Sequence, residues 1–325
     1  MIHTRICDLL GITHPIVLGG MGSATSPALV AAVSNGGGFG TIGTSGMSGA
    51  QITTAATAIR AATHKPFGIN HLLFMIDEEA YAATLAARPN IVAFAWARKD
   101  QDLHGYFKRA HDAGSKVMYM ASEVPESMRA VEAGADFIIA QGTEGGGHVG
   151  WMATMVIVPM VVKAVAPVPV LAAGGIADGR GLAASLALGA DGVLIGTRLL
   201  AAVESPIHEN FKQAIVKSDG HDTVLTEIHD IIGGRVWPGA MARAQRNAYI
   251  ERWAGREWVL RANQREAAKA AADARRAGDV AHAPLLFGQD AGLIDSVKPA
   301  AEIIAGMVSE ADDIIRRNLN ALLRD

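Results

Sequence analysis

Short apolar runs punctuate the first 200 residues, at 16–20 (IVLGG), 39–43 (FGTIG), 66–70 (PFGIN), 90–96 (NIVAFAW), 116–122 (KVMYMAS), 136–142 (DFIIAQG), 169–175 (PVLAAGG) and 191–197 (DGVLIGT). They are apolar without strict alternation, as strands buried on both faces must be, and that predicts a parallel sheet. Between them lie windows of helical spacing, among them 26–34, 50–62, 102–113, 125–133, 154–165 and 180–188. Three helices end in similar phrases, HDAGSK, VEAGADF and LALGADG, where a Gly takes the left-handed cap and a strand soon follows. Eight such units predict an α/β fold, a closed (β/α)8 TIM barrel, with an open doubly wound sheet as the alternative. The last barrel helix is expected from 299–323, where apolar residues return at helical spacing.

The pattern changes over 205–295, which reads as an inserted helical lid, with the barrel formed by 1–204 and 296–325. From Ala242 to His282 this segment carries nine Lys/Arg and five Asp/Glu, a net of +4. A solvated helix face accounts for that charge, and an anionic substrate is the alternative.

Composition narrows the function classes. Lys plus Arg is 29 against Asp plus Glu 32, so no basic excess is available for a nucleic acid. Residues 9–59 hold no charged side chain, yet Gly, Pro, Ser and Thr break the stretch before any run nears the roughly 20 apolar residues of a membrane span. The opening MIHTRICDLL places Arg5 and Asp8 where a secretion signal needs its apolar core, so a cytoplasmic location is expected. A single cysteine, Cys7, excludes an intrachain disulfide and a Cys-based zinc site. The other ten histidines beside His148 show no metal-ligand spacing, and no metal is expected. The chain leaves a homodimer open.

In a barrel, working residues cluster where strands end. The strand ends here are rich in Gly, at Gly19, Gly20 and Gly22, at Gly142 and 145–147, at Gly174 and Gly175, and at Gly196 beside Thr197. Backbone amides approach a flat ring or a phosphate closely where no Cβ intervenes. Gly174 and Gly175 after the seventh strand, with Gly196 and Thr197 after the eighth, occupy the usual phosphate-gripping position, and a helix start near Asp178 and Gly179 is expected to add partial positive charge. Residues 38–43 match G-x-G-x-x-G but run through a strand, so they read as backbone packing and not as a dinucleotide fingerprint. His148 follows three glycines at the barrel mouth, where an imidazole is a natural acid or base. No Ser-centred nucleophile elbow is present.

These phrases resemble the nitronate monooxygenase family, whose superfamily includes flavin-dependent enoyl-ACP reductases and NADH:quinone reductases. The likeness runs through HPIVLGGMG at 14–22, AAVSNGGGFGTIG at 31–43, PFGIN at 66–70, IIAQGTEGGGHVG at 138–150, PVLAAGGIADGRG at 169–181, GADGVLIGTRLL at 189–200, GGRVWPGAMARAQRN at 233–247 and GQDAGLI at 288–294. The resemblance implies FMN across the top of the barrel. Gly20, Met21 and Gly22 would line the ring, Asn70 and Gln141 would hydrogen-bond to it, Ala173, Gly174, Gly175, Gly196 and Thr197 would hold the phosphate, and Gly147 would also bind the cofactor. His148 matches the family's catalytic histidine. The implied reaction is oxidation of an alkyl nitronate, a small anionic substrate, with O2 to a carbonyl compound and nitrite. The alternative is NAD(P)H-dependent reduction of an enoyl thioester or a quinone. The chain departs from the best-known bacterial group at Val149, where Arg is common, and at the apolar AFAWA of 93–97.

Overall fold

The computed structural model describes residues 2–322, so Leu323 of the expected last helix lies outside the described residues. Eight strands form one parallel sheet: β1 (Ile16–Leu18), β2 (Gly40–Gly43), β3 (Phe67–Leu72), β4 (Ile91–Ala95), β5 (Lys116–Ala121), β6 (Phe137–Gln141), β8 (Val170–Ala173) and β9 (Gly192–Ile195). A ninth, β7 (Gly147–Val149), leaves the barrel after β6. The order β1-β9-β8-β6-β5-β4-β3-β2 closes on itself, because Leu18 N donates to Phe39 O and Phe39 N to Ile16 O, both at 2.9 Å. The fold is the TIM barrel that the sequence predicts.

The barrel follows from residue period. Along β4, Val92 and Phe94 pack outward against helices, whereas Ile91 and Ala93 point inward with Met118, Phe137, Ile139, Leu171 and Ala173. The helix Arg5–Leu10 plugs the lower mouth, placing Ile6, Cys7 and Leu10 in that inner cluster. Toward the upper mouth the inward positions become small or polar, with Ala95, Gln141 and Ala173 leaving space there. The caps at Gly114, Gly134 and Gly189 hold left-handed φ of 87°, 104° and 92°. The helix Ala300–Asp313 packs on the helices Gly179–Ala187 and Pro27–Asn35, completing the outer ring as expected.

The segment 205–295 is not helical alone. Besides helices such as Glu209–Lys217, Ile228–Gly233 and Gln264–Ala277, it contributes β10 (Thr223–Thr226) and β11 (Met241–Gln245). These strands form an antiparallel sheet with β7, in the order β10-β11-β7, and Ala242 stands opposite His148. The glycine-rich excursion after β6 is thereby stitched to the inserted segment by backbone hydrogen bonds. Much of the segment's charge is solvated, in exposed pairs such as Arg261 with Glu227 at 3.3 Å and Lys269 with Asp273 at 3.1 Å. Among the described residues no helix is long and apolar enough to cross a membrane.

Candidate active site

The upper mouth holds a cavity of about 490 Å³, floored by strand ends and roofed by the inserted segment. The residues that the family resemblance names for catalysis and cofactor binding all line it: Gly20, Met21, Gly22, Asn70, Gln141, Gly147, His148, Ala173, Gly174, Gly175, Gly196 and Thr197. The roof adds His229, Arg235, Trp237, Arg275 and Asp290.

Two amides reach the floor with one end secured. Asn70 donates Nδ2 to Ala93 O at 3.4 Å, which leaves Oδ1 for a ligand. The Gln141 Oε1 accepts from the Ser122 hydroxyl at 3.4 Å, which leaves Nε2. The glycine-rich loop between β6 and β7 is pinned from three sides. The Glu144 carboxylate accepts from Thr154 N at 3.0 Å and the Thr154 hydroxyl at 2.9 Å, Arg243 Nε donates to Thr143 O at 3.0 Å, and Gln289 N donates to Glu144 O at 2.9 Å. Gly146 is needed for this closure, because a Cβ there would stand 2.4 Å from the Phe287 carbonyl carbon.

Two details differ from the sequence reading. The helix start at Gly179 does not face the cavity. Its amides are taken by Asp178, which accepts from Gly181 N at 3.0 Å, and by Glu310, which accepts from Gly179 N at 2.7 Å. The helix that opens on the cavity is the short Thr197–Leu200, with Gly196 at its N-cap. Gly174 has φ 96°, and a Cβ on it would strike the Gly142 carbonyl oxygen at 2.6 Å, so backbone packing already demands glycine there. Gly196 is the cleaner probe of a ligand cradle. Only the flexible Met21 thioether, at 3.3 Å, stands near its added Cβ. Gly196→Ala is expected to keep the melting temperature near wild type while weakening FMN uptake. Equilibrium dialysis against FMN checks this, and unchanged uptake would remove Gly196 from the cradle.

His148 sits on β7 with its Nε2 2.7 Å from Asp230 Oδ1, both side chains only 9% exposed. Its ring stacks on Trp237, centroids 3.3 Å apart and planes at 9°. A carboxylate acceptor fixes Nε2 as the protonated nitrogen and leaves Nδ1 as the ring nitrogen available to a ligand. His229 lies 6.4 Å from His148, ring to ring. Burial, aided by His148, Arg275 and Arg235 and opposed by Asp230, pushes it down to about 4, so it is a neutral ring.

The roof also brings positive charge. Arg235 and Arg275 line the cavity, and among the described residues neither has a carboxylate partner within 4.0 Å. Arg275 reaches the Ser23 hydroxyl at 3.4 Å from the opposite wall. Unneutralised cations over a cleft with low-dielectric walls attract anions. Asp290 is the exception. It is 5% exposed, its Oδ1 has no hydrogen-bond partner among the described residues, and burial pushes it up to about 7, with Thr197 opposing and Glu144 adding.

A carboxyl whose folded pKa lies above its unfolded value near 3.9 stabilises relatively at low pH, and that advantage is lost as pH rises through the folded pKa. Between about pH 4 and 7 wild type should lose up to about 1.4 kcal/mol per pH unit from this group. Asp290→Asn removes that slope. Denaturant unfolding at pH 5 and pH 8 checks it: the variant should gain on wild type at the higher pH. Parallel pH dependences would show Asp290 ionised throughout.

The nitronate monooxygenase family model matches residues 3–86 and 77–310. The chain belongs to that family. A dehydrogenase of Rhodococcus jostii (strain RHA1), named for (3aS,4S,5R,7aS)-5-hydroxy-7a-methyl-1-oxo-octahydro-1H-indene-4-carboxyl-CoA, is 32% identical over 95% of this chain and 96% of its own length. A Staphylococcus aureus (strain MSSA476) protein described as a probable nitronate monooxygenase is 31% identical, over 76% of this chain and 79% of its own. The solved structure of FabK from Thermotoga maritima superposes with a TM-score of 0.89 at 35% identity, covering 99% of this chain and all of that one. This nitronate monooxygenase family member is an oxidoreductase.

Asp230 was not legible as a site residue, since it lies 82 residues from His148 with no spacing signal to join them. Trp237 stood in the sequence only within the phrase shared with the family. Arg235, Arg275 and Asp290 likewise carried no signal of their own.

Proposed function

We propose that this chain is an FMN-dependent nitronate monooxygenase, oxidising alkyl nitronates with O2 to carbonyl compounds and nitrite. The observation that carries the reading is His148, oriented by Asp230 and Trp237 at the edge of a glycine-lined cavity whose cations have no carboxylate partner among the described residues. The residues present suit FMN. Gly174 and Gly175 hold left-handed turns, Gly196 leaves an open approach, and Arg275 offers charge to an anion. The phosphate would lie along Gly174, Gly175, Gly196 and Thr197, and the ring along Gly20, Met21, Gly22 and Gly147, met by Asn70 Oδ1 and Gln141 Nε2. Bound there, FMN supplies the electron acceptor.

The chain's own residues do the rest. Arg235 draws the anion toward the mouth. His148 Nδ1 takes the proton from a neutral nitroalkane or hydrogen-bonds to the preformed nitronate. Asp230 holds the imidazole and balances its charge once it is protonated, and Trp237 covers one ring face against water.

A second reading is supported by the Rhodococcus relative, which is matched over nearly its whole length. In that reading the site oxidises or reduces an acyl thioester, with NAD(P)H as co-substrate in the reductive direction. Aerobic assays of the FMN-loaded protein separate the two. Nitrite release from propyl-2-nitronate is expected, whereas NADPH consumption with an enoyl thioester and no nitrite would favour the second.

A further inference from the structure

We infer that Trp96 is the end wall of the substrate chamber and restricts it to short carbon chains. This specificity role rests on the oxidation site proposed at His148. Trp96 follows β4 with φ 58°, a left-handed conformation that bulky side chains rarely adopt. The other non-glycine residue with positive φ among the described residues, Arg88, caps a helix, where such a conformation is ordinary. Trp96 caps no helix. Its backbone would sit without strain as glycine, so what the indole contributes is the space it fills.

That space is at the site. Trp96 is 6% exposed and lines the cavity beside Leu72, Ala95 and Met120. Its ring stands edge-on to Trp237, centroids 5.9 Å apart at 82°, and Trp237 stacks on His148. Phe74 packs on Trp237 at 4.7 Å, and Phe74 N donates to Trp96 O at 3.0 Å, so the wall is braced from behind. The result is a ladder of three rings from the acid–base nitrogen to the chamber's end. A substrate whose polar head meets His148 and whose carbon chain runs along Trp237 ends against Trp96. Within that wall a short chain fits, and a longer one must displace a braced indole.

The test uses alkyl carboxylates as unreactive stand-ins, because they share the nitronate's charge and its two planar oxygens. Binding of butanoate, hexanoate and octanoate is read from the ligand-induced rise in melting temperature of the FMN-loaded protein, so neither turnover nor its chemistry enters. In wild type, affinity should stop rising, or fall, beyond butanoate. In Trp96→Gly each added methylene should tighten binding about fourfold, the transfer value for a newly buried CH2. Trp96→Phe, which keeps a braced aromatic of smaller size, should admit hexanoate but not octanoate and covers the case of a poorly folded glycine variant. The same chain-length dependence in wild type and both variants would overturn the inference, as would no carboxylate binding in any of them. If the carboxylate series shifts as stated while wild type oxidises no nitronate, the wall stands and the oxidation reading fails.

Discussion

His148→Ala should lower turnover of a neutral nitroalkane by about 10²–10⁴-fold, the usual worth of a positioned acid or base. The barrel should survive the change. His148 lies on β7, outside the eight-stranded sheet, and its side chain meets Asp230, Trp237 and His229, none of which belongs to the barrel core. Removing the imidazole does leave the Asp230 carboxylate buried without its partner, which costs more than the roughly 1–3 kcal/mol of a neutral group. A fall in melting temperature is therefore expected, with FMN retained. Steady-state rates with nitroethane and with its preformed nitronate check the role. The loss should be smaller with the anion, because no proton then has to be removed. Wild-type turnover of the neutral substrate would reduce His148 to a structural residue.

Asp230→Asn should be nearly as damaging with the neutral nitroalkane, by about 10²–10⁴-fold in kcat, with KM for that substrate little changed. Asp230 need not touch the substrate; it is a positioning residue. As an acceptor only, its carboxylate holds the proton on Nε2 of His148 and keeps Nδ1 free. An amide can present either oxygen or NH2, so the tautomer is no longer imposed, and swaps of this kind in Ser-His-Asp triads cost about 10⁴-fold. Nitrogen NMR of labelled histidine gives a readout that a structural role would not move. Wild type should show His148 protonated on Nε2, and the variant a mixture. Asp230→Glu, which keeps an acceptor, should restore part of the rate. An unchanged tautomer in Asp230→Asn with full activity would detach Asp230 from the mechanism.

The barrel was legible because its signals are local. Buried parallel strands show as apolar runs, and the left-handed Gly114, Gly134 and Gly189 punctuate them at three helix ends. The floor of the cavity was legible for the same reason, since barrel strand ends converge on one mouth wherever the period is right. The roof was not. Thr223–Thr226 and Met241–Gln245 are short strands in a charged, helical setting, and their partner Gly147–Val149 lies far back in the chain. The TVLT of β10 carries β-branched residues suited to a strand, but nothing local says what it pairs with. Asp230 becomes His148's partner only through that pairing, which brings the helix Ile228–Gly233 beside β7. The Gly179 helix start failed for a different reason. Its cap is supplied partly by Glu310, on the last helix, which no nearby residue announces.

Anaerobic mixing of the FMN-loaded protein with propyl-2-nitronate, beside parallel mixes with NADH and NADPH, separates nitronate oxidation from nicotinamide-dependent reduction. The oxidised flavin absorbance should be lost with the nitronate, with much slower bleaching by either nicotinamide. Rapid bleaching by NADH or NADPH with no response to the nitronate would contradict the proposed nitronate oxidation.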